Sequence, residues 1–246
     1  MAQVSIFKEE TESMRATLRL MMAIVVLTLS LAAHAQVTLS LWNFNDENFD
    51  VDGGVVGGNL QLIGGVTHEW ATGSPQDTAS PNRGLNTRNY PAQGTNNLTA
   101  GVRFNTPTTG YKDIVVRFDF RWSNTASKYA RVQYTVDGTN WVNSLQLVAP
   151  GGDTWYSSGG SLVVLDLSNV AGVSDNPLFA FRVVSEFDPA TGQYTAARST
   201  SSYASTGTYR FDLVEVRGAV VPEPASLTAL GVALAGLFGF RCVRRR

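Results

Sequence analysis

Hydrophobic and polar residues alternate along much of the chain between residues 36 and 220, with the period of two that is typical of β-strands. The segment 114–122 shows this alternation most clearly. Its apolar face comprises Ile114, Val116, Phe118, Phe120 and Trp122. Its other face carries Arg117, Asp119 and Arg121. No window of this region sustains the 3.6-residue period of an amphipathic helix, so the pattern predicts an all-β domain.

The pattern predicts about ten strands, separated by segments rich in Gly, Asn, Ser and Thr. The predicted strands are 37–45, 59–63, 66–70, 98–104, 114–122, 128–136, 141–148, 162–167, 179–184 and 208–217. Residues 72–91 contain three prolines and are predicted to form a long surface loop. Asp137 and Gly138 predict a tight hairpin turn, because Asp-Gly tolerates positive φ. Strands at this spacing, without helices, indicate an antiparallel β-sandwich.

The N-terminal region has the pattern of a secretory signal peptide. Residues 14–35 combine two arginines, an apolar run and the small residues Ala33 and Ala35 around one histidine. Cleavage after Ala35 would leave Gln36 as the mature N-terminus. The polar residues 1–13 fit neither a signal nor a domain and are predicted to be a start-site artefact.

The C-terminal tail, residues 221–246, has three parts in a fixed order. The tripeptide Pro222, Glu223 and Pro224 precedes an uncharged run at 225–240. As a helix, that run would be roughly 24 Å long, which is short for a membrane span unless basic residues anchor one end. The basic end, 241–246, supplies Arg241, Arg244, Arg245 and Arg246. The tail therefore predicts a membrane helix whose arginines stay cytoplasmic.

This order of motif, short span and arginine cluster resembles the PEP-CTERM protein-sorting signal of Gram-negative bacteria. The resemblance implies that the protein is exported, is anchored in the membrane of the cell envelope and is a substrate of an exosortase-type processing enzyme acting at 222–224. It also implies that processing can release the protein to the cell surface or the extracellular matrix. The alternative is an ordinary membrane anchor with a chance Pro-Glu-Pro.

The predicted domain, 36–220, carries 12 Lys and Arg against 16 Asp and Glu, a net charge of −4. This balance gives no basic surface for nucleic acid. The only cysteine is Cys242 in the tail. Thiolate nucleophiles, disulfides and sulfur-rich zinc sites are therefore excluded from the domain.

Two parts of the domain resemble the jelly-roll sandwiches of bacterial carbohydrate-binding and adhesion modules. One contains VQYTVDGTNW, and the other runs from FAFRVVSEFDP to GTYRFDLVEVRG. The resemblance implies a jelly-roll-like sandwich and leaves the function open.

Calcium is a possible ligand at two places in the sequence, although the expectation is a domain without a cofactor. Asp46 and Asp50 belong to a run with an oxygen-bearing side chain at every second position, which resembles the first half of a calcium loop. The run departs from an EF-hand, because Val51 replaces the glycine and Gly57 replaces the final glutamate. Asp212 is the other candidate, since jelly-roll modules often hold an ion between terminal strands.

No arrangement of residues in the sequence points to catalysis. His68 has no nucleophile beside it and is interpreted as a strand-edge residue. The sequence predicts an exported, non-enzymatic protein of the envelope or matrix. The alternatives are a carbohydrate-binding module, and a glycan-active hydrolase or lyase with a pair of carboxylates. Aromatic candidates for stacking on sugar rings are Trp70, Tyr90, Trp141, Trp155 and Tyr156.

Overall fold

Strands account for all regular secondary structure in a computed structural model of the protein, which describes residues 35–156 and 162–221. In those ranges the chain forms twelve β-strands in two sheets, and every strand pair is antiparallel. Among these residues there is no helix long and apolar enough to cross a membrane.

The larger sheet has seven strands. They are β1 (Gln36–Trp42), β3 (Thr67–Thr72), β4 (Arg83–Arg88), β6 (Tyr111–Trp122), β9 (Thr154–Trp155), β10 (Val163–Asp166) and β12 (Tyr209–Val220). Their order is β10-β6-β12-β4-β3, with β1 also paired to β12 and β9 to β6. The long strands β6 and β12 therefore form the centre of this sheet.

The smaller sheet has five strands. They are β2 (Asn59–Ile63), β5 (Gly101–Asn105), β7 (Tyr129–Thr135), β8 (Val142–Val148) and β11 (Ala180–Glu186). Their order is β2-β5-β11-β7-β8, which leaves β2 and β8 at the edges. A hairpin turn with Gly138 at a φ of 77° joins β7 to β8, as Asp-Gly predicted.

Aromatic side chains from both sheets meet between them and form the core. The ring of Phe118 on β6 lies 6.3 Å from Phe181 on β11, and that of Phe211 on β12 lies 6.0 Å from Phe104 on β5. All four rings are fully buried. The predicted apolar face of the strand 114–122 is completely buried at every position. The prediction of an all-β antiparallel sandwich is confirmed.

The prediction that residues 72–91 are entirely a surface loop is wrong, because β4 lies within them. The strand RGLNTR shows no apolar alternation, and two of its polar residues, Asn86 and Thr87, are buried because they find partners. The amide of Asn86 donates to Glu69 Oε1 (2.9 Å), and the hydroxyl of Thr87 donates to the carbonyl of Tyr209 (2.9 Å). The two-residue strand β9 was also not predicted.

Residues Gln36–Val221 form one compact unit. The predicted start-site artefact at 1–13, most of the signal peptide 14–35 and the sorting tail from 222 onward lie outside the described residues.

Candidate functional site

The outer face of the five-stranded sheet carries a row of polar side chains that crosses all five strands, which we call the polar row. It follows directly from the strand registers, each residue lying opposite the next. The polar row consists of Gln61, Arg103, Arg182, Gln133 and Asn143. Neighbouring strands lie about 4.8 Å apart, so the row is roughly 19 Å long.

Two arginines occupy the middle of the polar row on adjacent strands, Arg103 on β5 and Arg182 on β11. The Nε of Arg103 donates to Asn105 Oδ1 (2.7 Å), and the Nε of Arg182 donates to Gln133 Oε1 (2.6 Å). Burial, together with the neighbouring charge of Arg103, lowers the pKa of Arg182 to about 10. The two guanidinium groups are therefore held in place by neutral amides while they repel each other.

The indole of Trp141 lies against both arginines. Its ring centroid is 4.2 Å from the Cζ of Arg182 and 5.1 Å from the Cζ of Arg103. Trp141 directly precedes β8, where the hairpin turn places it beside the sheet face. The ring is half-buried, so part of it faces solvent next to a row of hydrogen-bonding groups.

A cleft of about 290 Å³ opens at the end of the polar row. Its polar wall includes Asn59, Gln61, Arg103 and Asn105, and Leu178 contributes to its apolar wall. No Asp or Glu is among the described residues that line this cleft. The cleft therefore offers amide and guanidinium groups beside an apolar surface.

Next to the polar row, a third arginine has its charge neutralised. Arg131 on β7 donates to Glu186 Oε1 from its Nη2 (2.6 Å) and its Nε (3.1 Å). The amide of Gln146 donates to the other carboxylate oxygen at 2.9 Å. This largely buried pair differs from Arg103 and Arg182, which form no salt bridge in the described part of the chain.

The other predicted aromatic candidates are packed differently. Tyr90 is buried in the core. Trp70 contacts His68 and Phe49, with ring centroids at 5.1 and 5.8 Å, and His68 lies on the edge strand β3 as expected. Trp155 on β9 and the adjacent Tyr156 are half-buried beside the larger sheet. Trp141 is the candidate that borders the polar row.

A second notable arrangement is a pair of buried carboxylates on the larger sheet. Asp119 on β6 and Asp212 on β12 lie opposite each other in register and are 1% and 0% exposed. The loop 73–82 covers them: the Ser74 backbone N–H donates to Asp212 Oδ2 (2.5 Å), and its hydroxyl donates to Asp119 Oδ2. Burial raises the pKa of Asp119 to about 6 and that of Asp212 to about 7.

The oxygens around this pair are of the type that a hard cation binds. Asp119 Oδ1 and Asn82 Oδ1 are buried without a hydrogen-bond partner. A β-carbon on Gly73 would collide with both Asn82 Oδ1 and Asp212 Oδ2, so these two oxygens converge beside that glycine. The donor chemistry fits calcium, with Asp212, Asp119 and Asn82 as the residues that would hold it. Calcium binding stays a prediction.

The other two calcium candidates, Asp46 and Asp50, do not lie beside Asp212. Asp46 and Asp50 lie on the exposed loop after β1, where Asp46 Oδ2 accepts a hydrogen bond from Asn48 Nδ2 (2.6 Å). Within 35–156 and 162–221, no group of three or more His, Cys, Asp and Glu side chains is arranged to hold a metal.

For the processing sites, Gln36 is the first residue of β1 and Ala35 directly precedes it. Ala33, the sorting motif Pro222, Glu223 and Pro224, and the basic end lie outside the described residues. The basic end comprises Arg241, Arg244, Arg245 and Arg246.

Sequence reasoning did not find Arg103, Arg182 or Gln133 as site residues. The local pattern does place each of them on the outer face of its strand, because each follows an inward-facing valine or phenylalanine: Val102, Phe181 and Val132. What the sequence lacked was the strand register that brings them into one row. Asp119 was placed correctly on the outward face of its strand, but the loop that buries it was not foreseen.

Several solved structures are similar to this chain at low sequence identity. The N-terminal CBM22-1-CBM22-2 tandem domain of Xyn10C from Paenibacillus barcinonensis is 12% identical, with a TM-score of 0.44 over 78% of this chain and 48% of that chain. This chain thus spans about half of that relative. The family 11 carbohydrate-binding module from Clostridium thermocellum, solved with a mixed-linked tetrasaccharide, is 12% identical, with a TM-score of 0.36 over 77% and 100%.

The K2 cleaved adhesin domain of Lys-gingipain is also similar, at 12% identity and a TM-score of 0.37 over 76% of this chain and 100% of that one. No curated protein matches the sequence. The family model described as the PEP-CTERM protein-sorting motif matches residues 220–246, in agreement with the resemblance noted in the sequence. The C-terminal segment of this chain is therefore a PEP-CTERM sorting motif.

Proposed function

We propose that this is an exported, non-enzymatic protein of the cell envelope or extracellular matrix whose sandwich domain binds polysaccharide. The sorting motif supports the first part, since it implies processing by an exosortase-type enzyme and association with the membrane. The polar row beside Trp141 is the observation that carries the second part. Its binding surface is the outer face of the five-stranded sheet.

The polar row suits a sugar chain for physical reasons. Amide and guanidinium groups offer donors and acceptors that match hydroxyl groups, and they project from a sheet whose hydrogen-bonded strands hold them in position. The half-buried indole of Trp141 offers an apolar surface that suits one face of a pyranose ring. A row of roughly 19 Å accommodates several sugar rings in an extended chain.

The two terminal segments account for export, membrane anchoring and release. On this hypothesis the signal peptide is removed after Ala35, residues 225–240 span the membrane, and the basic end 241–246 holds the span in place. Processing at the motif then releases the domain to the cell surface or matrix. We further infer that the sandwich is of the jelly-roll type.

The alternative of a glycan-active hydrolase or lyase would require two carboxylates on either side of a bound sugar. The described lining of the cleft contains none, and the buried pair Asp119 and Asp212 lies under the loop 73–82 on the other sheet. The observations therefore favour binding without catalysis.

A glycan array tests the proposed function with the full chain purified in a detergent that has no sugar headgroup. We expect retention on a subset of polysaccharides and loss of retention by at least about tenfold for Trp141→Ala, since an aromatic anchor is removed. Trp155→Ala is the matched control, because Trp155 lies on the other sheet. Absence of binding to every glycan, or equal effects of both substitutions, would refute the proposal.

A further inference from the structure

We propose that the polar row selects an acidic polysaccharide and that Arg103 and Arg182 bind the carboxylate of a uronic acid. This inference rests on the proposed polysaccharide-binding function and names its ligand class. The two residues lie opposite each other on the neighbouring strands β5 and β11, at the centre of the five-stranded sheet.

Arg103 and Arg182 differ from several other arginines of the domain in the charges around them. Five other arginines form ion pairs with carboxylates, at 2.9, 3.1, 3.2, 2.6 and 3.6 Å: Arg83, Arg88, Arg121, Arg131 and Arg217. Arg103 and Arg182 form none within the described ranges, although they are near enough for the charge of one to lower the pKa of the other. Two half-buried cations held together without an anion favour a ligand that brings one.

The hydrogen-bond donors of Arg103 and Arg182 are also suited to a carboxylate. Each Nε is already bonded to a neutral amide oxygen, Asn105 Oδ1 for Arg103 and Gln133 Oε1 for Arg182. In the part of the chain that the structure describes, neither residue donates a hydrogen bond from its terminal Nη groups. A planar guanidinium with both Nη groups available binds a carboxylate through two parallel hydrogen bonds. Trp141 stacks on the arginines and restricts their movement, so little ordering is needed when the ligand binds.

Asp137 is an acidic side chain in the turn between β7 and β8, and its hydrogen bonds lie within that turn. Its Oδ1 accepts hydrogen bonds from the backbone N–H groups of Thr139 (2.9 Å) and Asn140 (2.7 Å). Its Oδ2 accepts one from the amide of Asn140 (2.6 Å). These bonds hold the pKa of Asp137 well below its usual range and direct the carboxylate to its own turn. The acidic group of the turn therefore does not neutralise the two arginines.

The test compares alginate with carboxyl-reduced alginate, which keeps the sugar backbone but replaces each carboxylate by an alcohol. The full chain is used in a detergent without a sugar headgroup, and binding is measured at low and high salt. We expect alginate to bind roughly tenfold tighter or more at low salt, because an arginine–carboxylate pair is formed. The preference should shrink as salt screens the charges. Stronger binding of dextran sulfate than of alginate would overturn the assignment to carboxylates.

Arg103→Gln and Arg182→Gln each keep a polar side chain and remove one charge. We expect each to reduce the preference for alginate to about threefold or less while binding of the carboxyl-reduced polymer is retained. Arg88→Gln is the matched control, since Arg88 is on the other sheet.

Equal binding of both polymers by the unmodified protein would refute the acidic preference and leave the proposed polysaccharide binding intact. Binding of neither these polymers nor any neutral glycan would refute both. A full preference for alginate retained in both folded arginine variants would also refute the inference, because other residues would then bind the carboxylates of the polymer.

Discussion

Asp119 and Asp212 are buried carboxylates that lie directly opposite each other on β6 and β12 and share one hydrogen-bonding partner, Ser74. Such a pair is costly when both groups are ionised, since each carries a charge in a site shielded from water. The stability of the folded domain should therefore depend on pH and on any cation that binds these oxygens at the centre of the larger sheet.

Stability in EDTA should fall as the pH rises from about 4 to about 7. The folded-state pKa values, about 6 for Asp119 and about 7 for Asp212, lie above the usual 3.8, so the folded protein holds these protons more strongly than the unfolded chain. Their stabilising effect is complete below pH 4 and is lost through pH 6–7, by a few kcal/mol in total. Thermal unfolding at several pH values measures this.

In Asp212→Asn the slope should be smaller, because the carboxyl group whose pKa is raised to about 7 is removed. The lowered pKa values of Asp137 and Asp166 act in the opposite direction, but only below about pH 4. A melting temperature that is flat or rises between pH 4 and 7 would contradict the prediction.

Calcium should raise the melting temperature, and more at pH 8 than at pH 5. The folded state brings Asn82 Oδ1 close to Asp212 Oδ2 and places Asp119 opposite Asp212, and protons compete for the two carboxylates at lower pH. Asp212→Asn should abolish the shift if the ion binds there, whereas Asp46→Asn and Asp50→Asn test the loop after β1. No shift at millimolar calcium in a scanning-calorimetry experiment would remove both candidate positions.

Phe120→Ala should destabilise the domain by about 3–5 kcal/mol, the usual cost of deleting a buried aromatic ring and leaving a cavity. The ring is fully buried, and its centroid lies 4.6 Å from Trp122 and 5.0 Å from Phe211. Denaturant-induced unfolding measures the change. Val164→Ala, at a residue that is 48% exposed on β10, serves as the control and should have a much smaller effect. A loss below about 1 kcal/mol for Phe120→Ala would be inconsistent with this packing.

Glu223→Ala should leave folding and export intact but block processing of the tail, so that a larger membrane-bound form accumulates in a host with the sorting enzyme. The flanking prolines disfavour helix, so the sequence predicts an extended motif, and the glutamate is its only charged group. Immunoblotting of membrane and released fractions distinguishes the forms.

Deletion of residues 244–246 should instead weaken retention before processing, because fewer arginines then anchor the span. Release of the Glu223→Ala protein as efficient as that of the wild type would show that the tail is a plain anchor.

N-terminal sequencing of the exported protein should begin at Gln36, since Ala33 and Ala35 form the small-residue cleavage pattern. Gln36 is also the first residue of β1, so this cleavage would leave the strand complete. A mature protein that still carried residues 1–13 would contradict the interpretation of this region.

Much of the fold was predictable because a β-strand reveals itself locally. Alternation placed Phe118, Phe120 and Trp122 on one buried face, and the Asp-Gly pair identified the turn between β7 and β8. The strand β4 was missed because two of its four buried residues, Asn86 and Thr87, are polar. Their burial depends on partners such as Glu69 and Tyr209, which are distant in sequence.

The amino-acid sequence alone established the class of the domain and the sorting tail, since each depends on a pattern of consecutive residues. For the domain, the pattern is the alternation of apolar and polar side chains; for the tail, it is a motif followed by an apolar run and arginines. The pairing of strands decided which polar residues lie side by side in the two candidate sites. Arg103 and Arg182 are far apart in the chain and become neighbours through the register of β5 and β11, as Asp119 and Asp212 do through β6 and β12. A one-residue shift in either register would turn these side chains to the opposite face of the sheet, so no local pattern could specify them.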